Sequence, residues 1–177
     1  MEADHVDRIL EQWARERPDL DVSPIGLIGR ISRASRRLER VLARNYERFD
    51  LTHGSYDVLA SLRRAGPPYR LSPTQLYSSL MLSSGAMTNR IDQLERAGLV
   101  TRLPDPTDRR GVMVELTPRG WELVDTAVEA HVAVEQHLVS VLTAEEKDCL
   151  SAALRKLLLS LERDEGEVER DAAGERS

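Results

Sequence analysis

The sequence predicts a mainly α-helical fold with a small β wing. Apolar residues recur at helical spacing along most of the 177 residues, and only 4% of the chain is aromatic. One pair of short alternating runs indicates a hairpin. A chain of this length is sufficient for one domain with helical additions. The sequence therefore favours helices that pack through aliphatic side chains.

Two helices are predicted in the N-terminal part of the chain. Residues 1–17 form an added amphipathic helix, and residues 24–50 form a longer dimerisation helix. The apolar face of the first helix comprises Val6, Ile9, Leu10 and Trp13. The longer helix also carries a row of arginines, for which solvation is the simpler interpretation and phosphate contact the alternative.

Two successive helix starts indicate a helix-turn-helix unit. Ser72 and Gln75 form a capping box with Pro73 at the first helical position. Ser83 begins the next helix after a tight connection. Two helices joined in this way are the helix-turn-helix arrangement.

A hairpin follows the second of these helices. The runs at 99–103 and 112–116 are short, and the residues between them include proline and glycine. Together with the two helices, the hairpin makes residues 51–117 a winged helix-turn-helix lobe.

The remaining residues, 118–177, divide into two parts. The apolar pattern of residues 118–163 predicts two dimerisation helices. The second of them begins at a capping box of Thr143 and Glu146. The apolar stripes of both termini exceed what one small lobe can cover, so we expect a homodimer, with folding back onto the same subunit as the alternative. Residues 164–177 are charged and almost free of apolar residues, which predicts a disordered acidic tail.

The helix that starts at Ser83 has one polar face. At about 100° per residue, Met87, Ile91 and Leu94 face the core. The opposite side carries Gly85, Asn89, Asp92 and Arg96, with Thr88 and Gln93 beside it. Asparagine and glutamine can pair with adenine edges, and a helix N-terminus can bind phosphate. The predicted DNA contacts are Ser83, Ser84, Gly85, Thr88, Asn89, Gln93 and Arg96.

The hairpin tip adds Asp108, Arg109 and Arg110 to the predicted contacts. Arginine suits a narrow, negative minor groove, and Asp108 can orient an arginine through a charge-assisted hydrogen bond. An ordinary polar helix face and a plain surface turn are the alternatives. A helix in the major groove with a basic wing beside it nevertheless favours double-stranded DNA as the partner.

The distribution of charge agrees with this interpretation. The formal net charge is -5, but residues 30–110 carry 15 Lys/Arg against 8 Asp/Glu, and the rest carries 10 against 22. A polyanion responds to the local field more than to the net charge of the chain.

Other function classes have little support in the sequence. No signal peptide and no long apolar run is present, so we expect a cytoplasmic protein with no membrane partner. No catalytic constellation, metal-ligand spacing or cofactor motif appears, so we expect neither an enzyme nor a metal or cofactor site. The single cysteine, Cys149, is expected to be a buried, inert thiol.

The arrangement resembles the MarR family of bacterial transcriptional regulators. The resemblance rests on the winged lobe between terminal helices, with Asp108-Arg109-Arg110-Gly111 before Val114-Glu115-Leu116-Thr117. It implies a homodimer that binds pseudo-palindromic operators, usually as a repressor relieved by a small anionic or phenolic ligand.

Within that family, the chain is similar to the urate-responsive branch, which has an added N-terminal helix. The resemblance implies a ligand-response site at Trp13, Asp57, Arg90 and Arg102, although structural salt bridges among these residues are an alternative. Two other functions remain open: a thiol-redox-responsive regulator that uses Cys149, and a winged-helix interaction module that does not bind DNA.

Overall fold

The computed structural model describes residues 2–80, 84–106, 108 and 111–174. In this part of the chain the structure is mostly helical with one small sheet, which confirms the predicted fold class. The elements are α1 (His5–Glu16), α2 (Ser23–Glu47), α3 (His53–Arg64), β1 (Arg70–Leu71), α4 (Pro73–Leu80), α5 (Ser84–Arg96), β2 (Val100–Pro104), β3 (Val112–Leu116), α6 (Pro118–Leu138) and α7 (Ala144–Gly174).

The chain divides into two compact units, Met1–Val132 and Ala133–Ser177. The first contains α1 to α5, the sheet and most of α6. The second contains the end of α6 and α7.

Helix α1 packs on α2 through small residues and an ion pair. Val6 is buried, and a Cβ added to Gly26 would lie 3.0 Å from Cδ1 of Leu10, so glycine lets the two helices approach closely. Arg30 of α2 donates to Asp4 at 2.9 Å and to Asp7 at 2.6 Å. The predicted added helix therefore forms and is attached to α2.

The predicted start of α4 is confirmed. The backbone N–H of Ser72 donates to Oε1 of Gln75 at 2.8 Å, and that of Gln75 donates to Oγ of Ser72 at 3.1 Å. These reciprocal bonds satisfy backbone donors that a helix start otherwise leaves unpaired. Ser83, the predicted cap of the next helix, lies outside the described residues.

The sheet is antiparallel, with strand order β1-β3-β2. The predicted hairpin is β2 paired with β3, in a register that places Arg102 opposite Val114. Strand β1 was not predicted. It pairs Arg70 with Glu115 and Leu71 with Val114, so the chain before α4 forms one edge of the wing.

One hydrophobic core lies between α3, α4, α5, the sheet and α6. Its members with less than 2% exposure include Val58, Leu59, Leu62, Leu76, Ile91, Val100, Val114 and Val124. They come from α3, α4, α5, β2, β3 and α6. Burial of these aliphatic side chains therefore fixes the orientation of α5 relative to the hairpin.

The second unit confirms one prediction. The backbone N–H of Thr143 donates to Oε2 of Glu146 at 2.8 Å, which is part of the predicted capping box. Helix α7 ends at Gly174. The disorder of residues 164–177 stays a prediction.

Candidate nucleic-acid interface

Helix α5 is fixed by one face and exposes the other. Met87, Ile91 and Leu94 are each at most 2% exposed, as the helical spacing predicts. On the remaining surface, Thr88, Asn89, Gln93 and Arg96 are exposed. The structure therefore places these four predicted DNA contacts together on one accessible polar face.

The other predicted contacts are only partly described. Ser83, Arg109 and Arg110 lie outside the described residues, and Ser84 and Gly85 are described by their backbone alone. The predicted DNA contacts of these five residues stay predictions.

Asp108 lies in the tight turn at the tip of the hairpin. Its backbone N–H donates to Oδ1 of Asp105 at 3.3 Å, and its carbonyl accepts from Gly111 at 2.9 Å. A Cβ at Gly111 would lie 2.8 Å from the Cβ of Asp105, so only glycine fits this turn. That Asp108 orients an arginine stays a prediction.

Arg102 joins the hairpin to α5. Its guanidinium donates to Asp92 and to Glu95, and its backbone N–H donates to Oε1 of Glu95 at 3.1 Å. Asp92 is thus partly buried, although the helical wheel placed it on the outer face with Asn89. The sequence did not reveal this pairing because α5 and β2 come together only in the folded lobe.

Arg90 lies on the inner side of α5, against α3. A Cβ added to Gly54 would lie 2.6 Å from Nη1 of Arg90, so the guanidinium occupies the space that a side chain at position 54 would need. Gly54 was not singled out from the sequence. In the sequence it is only a glycine near the start of a helix, and nothing in the pattern shows that Arg90 packs against it.

Asp57 interacts with Arg90 and His53. Oδ2 of Asp57 lies 3.6 Å from Nε2 of His53. Burial raises the pKa of the Asp57 carboxyl above its ordinary value, and the nearby charges of His53, Arg90, Arg64 and His131 offset this only in part. The structure therefore contains a carboxyl in α3 whose charge is poorly solvated and which faces the arginine of α5.

The four predicted ligand residues have different partners in the structure. Asp57 and Arg90 are close enough to interact electrostatically, whereas Arg102 is held by Asp92 and Glu95. Trp13 lies on α1 and is 43% exposed.

A buried aromatic cluster joins α3 to α2 and α6. Tyr46 and Tyr56 stack with ring centroids 4.4 Å apart, and the hydroxyl of Tyr46 lies 3.1 Å from Nδ1 of His131. Through this cluster the end of α2 and the middle of α6 contact the helix that carries Asp57.

Three further observations concern the cysteine, membrane-spanning helices and metal sites. Cys149 is exposed in the single chain. Its burial in a dimer stays a prediction. Among the described residues, none of the helices has the length and apolarity needed to cross a bilayer. The same part of the chain contains no group of three or more His, Cys, Asp or Glu side chains that could hold a metal ion.

Helix α5, the recognition helix, exposes a polar face and is ion-paired to a β-hairpin. This combination is that of a winged helix-turn-helix DNA-binding protein. The MarR family profile matches residues 51–112. The chain is 41% identical over 152 residues to the HTH-type transcriptional regulator PecS of Dickeya dadantii, covering 86% of this chain and 92% of the relative. The chain therefore belongs to the MarR family of transcriptional regulators.

Solved structures agree with this assignment. A mutant of MarR from E. coli complexed with operator DNA is 32% identical, with a TM-score of 0.68 over 78% of this chain and 99% of that chain. AbsC, a MarR family regulator from Streptomyces coelicolor, is 27% identical, with a TM-score of 0.73 over 81% of this chain and 97% of that chain. The relatives are regulators, which confirms the prediction that the chain is not an enzyme.

Proposed function

We propose that this chain is a homodimeric repressor that binds a pseudo-palindromic operator and is released by a small anionic or aromatic ligand. The observation that carries the proposal is the exposed polar face of α5, which the buried side of the helix and the Arg102 ion pairs hold in one orientation. A helix fixed in this way presents its base-reading side chains without further ordering, and therefore at low entropic cost.

The DNA contacts follow from the chemistry of this face. Asn89 and Gln93 can donate to and accept from adenine edges, and Thr88 can contact a thymine methyl group or a phosphate. Arg96 and the N-terminal residues Ser83, Ser84 and Gly85 contribute phosphate contacts, which set position rather than sequence preference. Asp108, Arg109 and Arg110 of the wing reach the adjacent minor groove.

Exposed apolar side chains support the homodimer. On α2, Ile25, Leu27, Ile28, Leu38 and Val41 are each more than a third exposed. On α7, Leu150, Leu158, Leu159 and Leu161 are each close to half exposed or more. Apolar stripes that are exposed to solvent in a single chain favour association with a second copy. Two-fold symmetry then gives two recognition helices that read half-sites about one helical turn, or 34–36 Å, apart.

Light scattering coupled to size-exclusion chromatography tests the oligomeric state. The proposal predicts the mass of two chains, against 19.9 kDa for one. Leu158→Asp should shift the protein toward the monomer and weaken operator binding. A wild-type monomer at micromolar concentration would contradict the homodimer.

The ligand site is proposed around Asp57 and Arg90. Because the charge of Asp57 is poorly solvated, a ligand oxyanion can replace it as the partner of Arg90 at a modest cost. Trp13 would contribute a ring contact, and Arg102 would contribute only if the ligand also disrupts its pairs with Asp92 and Glu95. Release from DNA requires that the ligand bind the DNA-incompetent state more tightly.

A thermal-shift screen tests this site. Urate, xanthine, aconitates and aromatic carboxylates are the probes, and a binder should raise the midpoint of unfolding of the wild-type chain. Arg90→Ala should abolish the shift, whereas Arg8→Ala, an exposed arginine of α1, should retain it. A shift that is equal in wild type and Arg90→Ala would place the ligand elsewhere.

A reporter assay tests the direction of regulation. Expression from the promoter upstream of the gene for this chain should rise when the chain is deleted. A fall would make it an activator and contradict the repressor proposal.

A further inference from the structure

The guanidinium of Arg63 lies over the rings of Tyr69 and Trp121, between α3 and the start of α6. This cluster is away from the outer face of α5. The Cζ of Arg63 lies 4.9 Å from the ring centroid of Trp121 and 5.4 Å from that of Tyr69. Nε and Nη2 of Arg63 donate to Oδ1 of Asp125 at 2.9 and 2.7 Å. A guanidinium over aromatic faces and beside a carboxylate is a cation–π arrangement. Arg63 therefore already occupies one face of each ring.

The same two rings line an open groove of about 430 Å³. Pro68 and Pro118 add apolar walls, and Glu115 and Glu122 add carboxylates. No lysine, arginine or histidine is among the described residues that line the groove.

The two carboxylates differ in their pairing. Glu115 accepts a hydrogen bond from Nε of Arg70 at 2.6 Å, so its charge is largely balanced. Glu122 is exposed and belongs to no ion pair within the described part of the chain. The groove thus combines π faces with one negative charge that is available to a ligand. This chemistry disfavours phosphates and favours an organic cation.

The walls of the groove are held in place by the backbone. The N–H of Tyr69 donates to the carbonyl of Gly66 at 2.6 Å, and that of Trp121 donates to the carbonyl of Thr117 at 2.8 Å. A Cβ at Gly120 would collide with the carbonyl of Leu99, so the first turn of α6 lies directly against the start of the hairpin. Little ordering is needed on binding, which limits the entropic cost.

We propose that this groove is a binding site for a small organic cation, with an aromatic quaternary ammonium ion as the model ligand. The ligand places its cationic group near Glu122 and against the ring of Trp121 or Tyr69. The site is separate in position and opposite in charge preference from the anion site proposed at Asp57 and Arg90, and it does not depend on that site.

Fluorescence of a single tryptophan tests this proposal. The chain contains two tryptophans, so Trp13→Phe leaves Trp121 as the only indole. Titration of this full-length variant with benzyltrimethylammonium should give a saturable change in Trp121 emission. Benzyl alcohol and benzoate, at the same concentrations, should give none, because they lack the positive charge.

Two matched variants in the same background locate the charge contact. Glu122→Gln should weaken the affinity by about two- to fivefold, as expected for one exposed ion pair. Glu129→Gln, two turns further along the same helix and also exposed, should bind as the parent does. Melting temperatures verify that both variants are folded.

Calorimetry with Trp121→Leu gives a readout that does not depend on fluorescence, and this variant should lose binding. A non-saturable emission change, an equal response to benzoate, or equal affinities of the Glu122→Gln and Glu129→Gln variants would each overturn the proposal. If Trp121→Leu does not fold, the comparison of the two glutamate variants decides the question alone.

Discussion

Arg102 on β2 is bonded to Asp92 on α5, so the wing and the recognition helix are joined by a side-chain ion pair as well as by the core. Glu95 binds the same guanidinium one turn further along α5. The pairing orients the outer face of α5 relative to the hairpin. Because both elements contact one duplex in the proposed complex, their relative orientation affects DNA affinity directly.

Removal of this link should weaken operator binding. Arg102→Gln leaves two neighbouring carboxylates without their cation, and we expect a loss of about 1 kcal/mol in the free energy of unfolding, since the group is partly exposed. We also expect operator affinity to fall several-fold. Urea denaturation and fluorescence anisotropy with labelled operator measure the two effects. Arg8→Gln, an exposed arginine of α1, serves as the control, and equal operator affinities for the two variants would refute the link.

Base preference should depend on Asn89. A good bidentate pair with a base contributes about 1–3 kcal/mol of discrimination, so Asn89→Ala should reduce operator affinity about fivefold to more than a hundredfold and affect nonspecific DNA far less. Competition binding with single-base operator variants measures this preference. Gln136→Ala, on an exposed part of α6, should leave it unchanged. Unaltered base preference in Asn89→Ala would show that the outer face does not read sequence.

Gly54 should be required only when Arg90 is present. Alanine is favoured over glycine in helices by up to about 1 kcal/mol, but a Cβ at position 54 would occupy the space of the Arg90 guanidinium. We therefore expect Gly54→Ala to destabilise the wild-type chain and to be neutral or stabilising in the Arg90→Ala background. Urea denaturation of the four proteins of the double-mutant cycle tests this. Equal effects of Gly54→Ala in both backgrounds would contradict the packing.

The charge of Asp57 should reduce stability at neutral pH. Since burial raises the pKa of this carboxyl, the folded chain binds its proton more tightly than the unfolded chain does. Stability contributed by this group is therefore lost as the pH rises from the ordinary aspartate pKa through the raised value.

Asp57→Asn should accordingly raise the free energy of unfolding at pH 7, and the gain should shrink as the pH approaches 3.8, the ordinary pKa of this carboxyl. Asp164→Asn, at an exposed position of α7, serves as the control. Denaturation at a series of pH values provides the measurement. A destabilised Asp57→Asn at pH 7 would mean that the pairs with Arg90 and His53 outweigh the burial.

Local signals in the sequence predicted most of the fold. The capping boxes at Ser72 and Thr143 depend on residues three apart, and the three buried residues of α5 depend only on helical spacing. Strand β1 could not be predicted in this way, because two residues carry no alternation and become a strand only by pairing with β3.

The site was predicted less completely than the fold, for a related reason. A helical wheel assigns faces within α5 but contains no information about β2, so it placed Asp92 outward, where the structure pairs it with Arg102. Likewise, the contact of Arg90 with Gly54 joins two helices, and no spacing within either helix indicates it.

In the proposed complex, the outer face of α5 and the wing bind one operator together. Footprinting of the DNA upstream of the gene for this chain, at low salt, tests this arrangement. We expect two protected half-sites about one helical turn apart, with protection lost in Asn89→Ala and uniformly weakened in Arg110→Ala. Sequence-specific protection that survives both substitutions unchanged, or no specific protection at all, would contradict it.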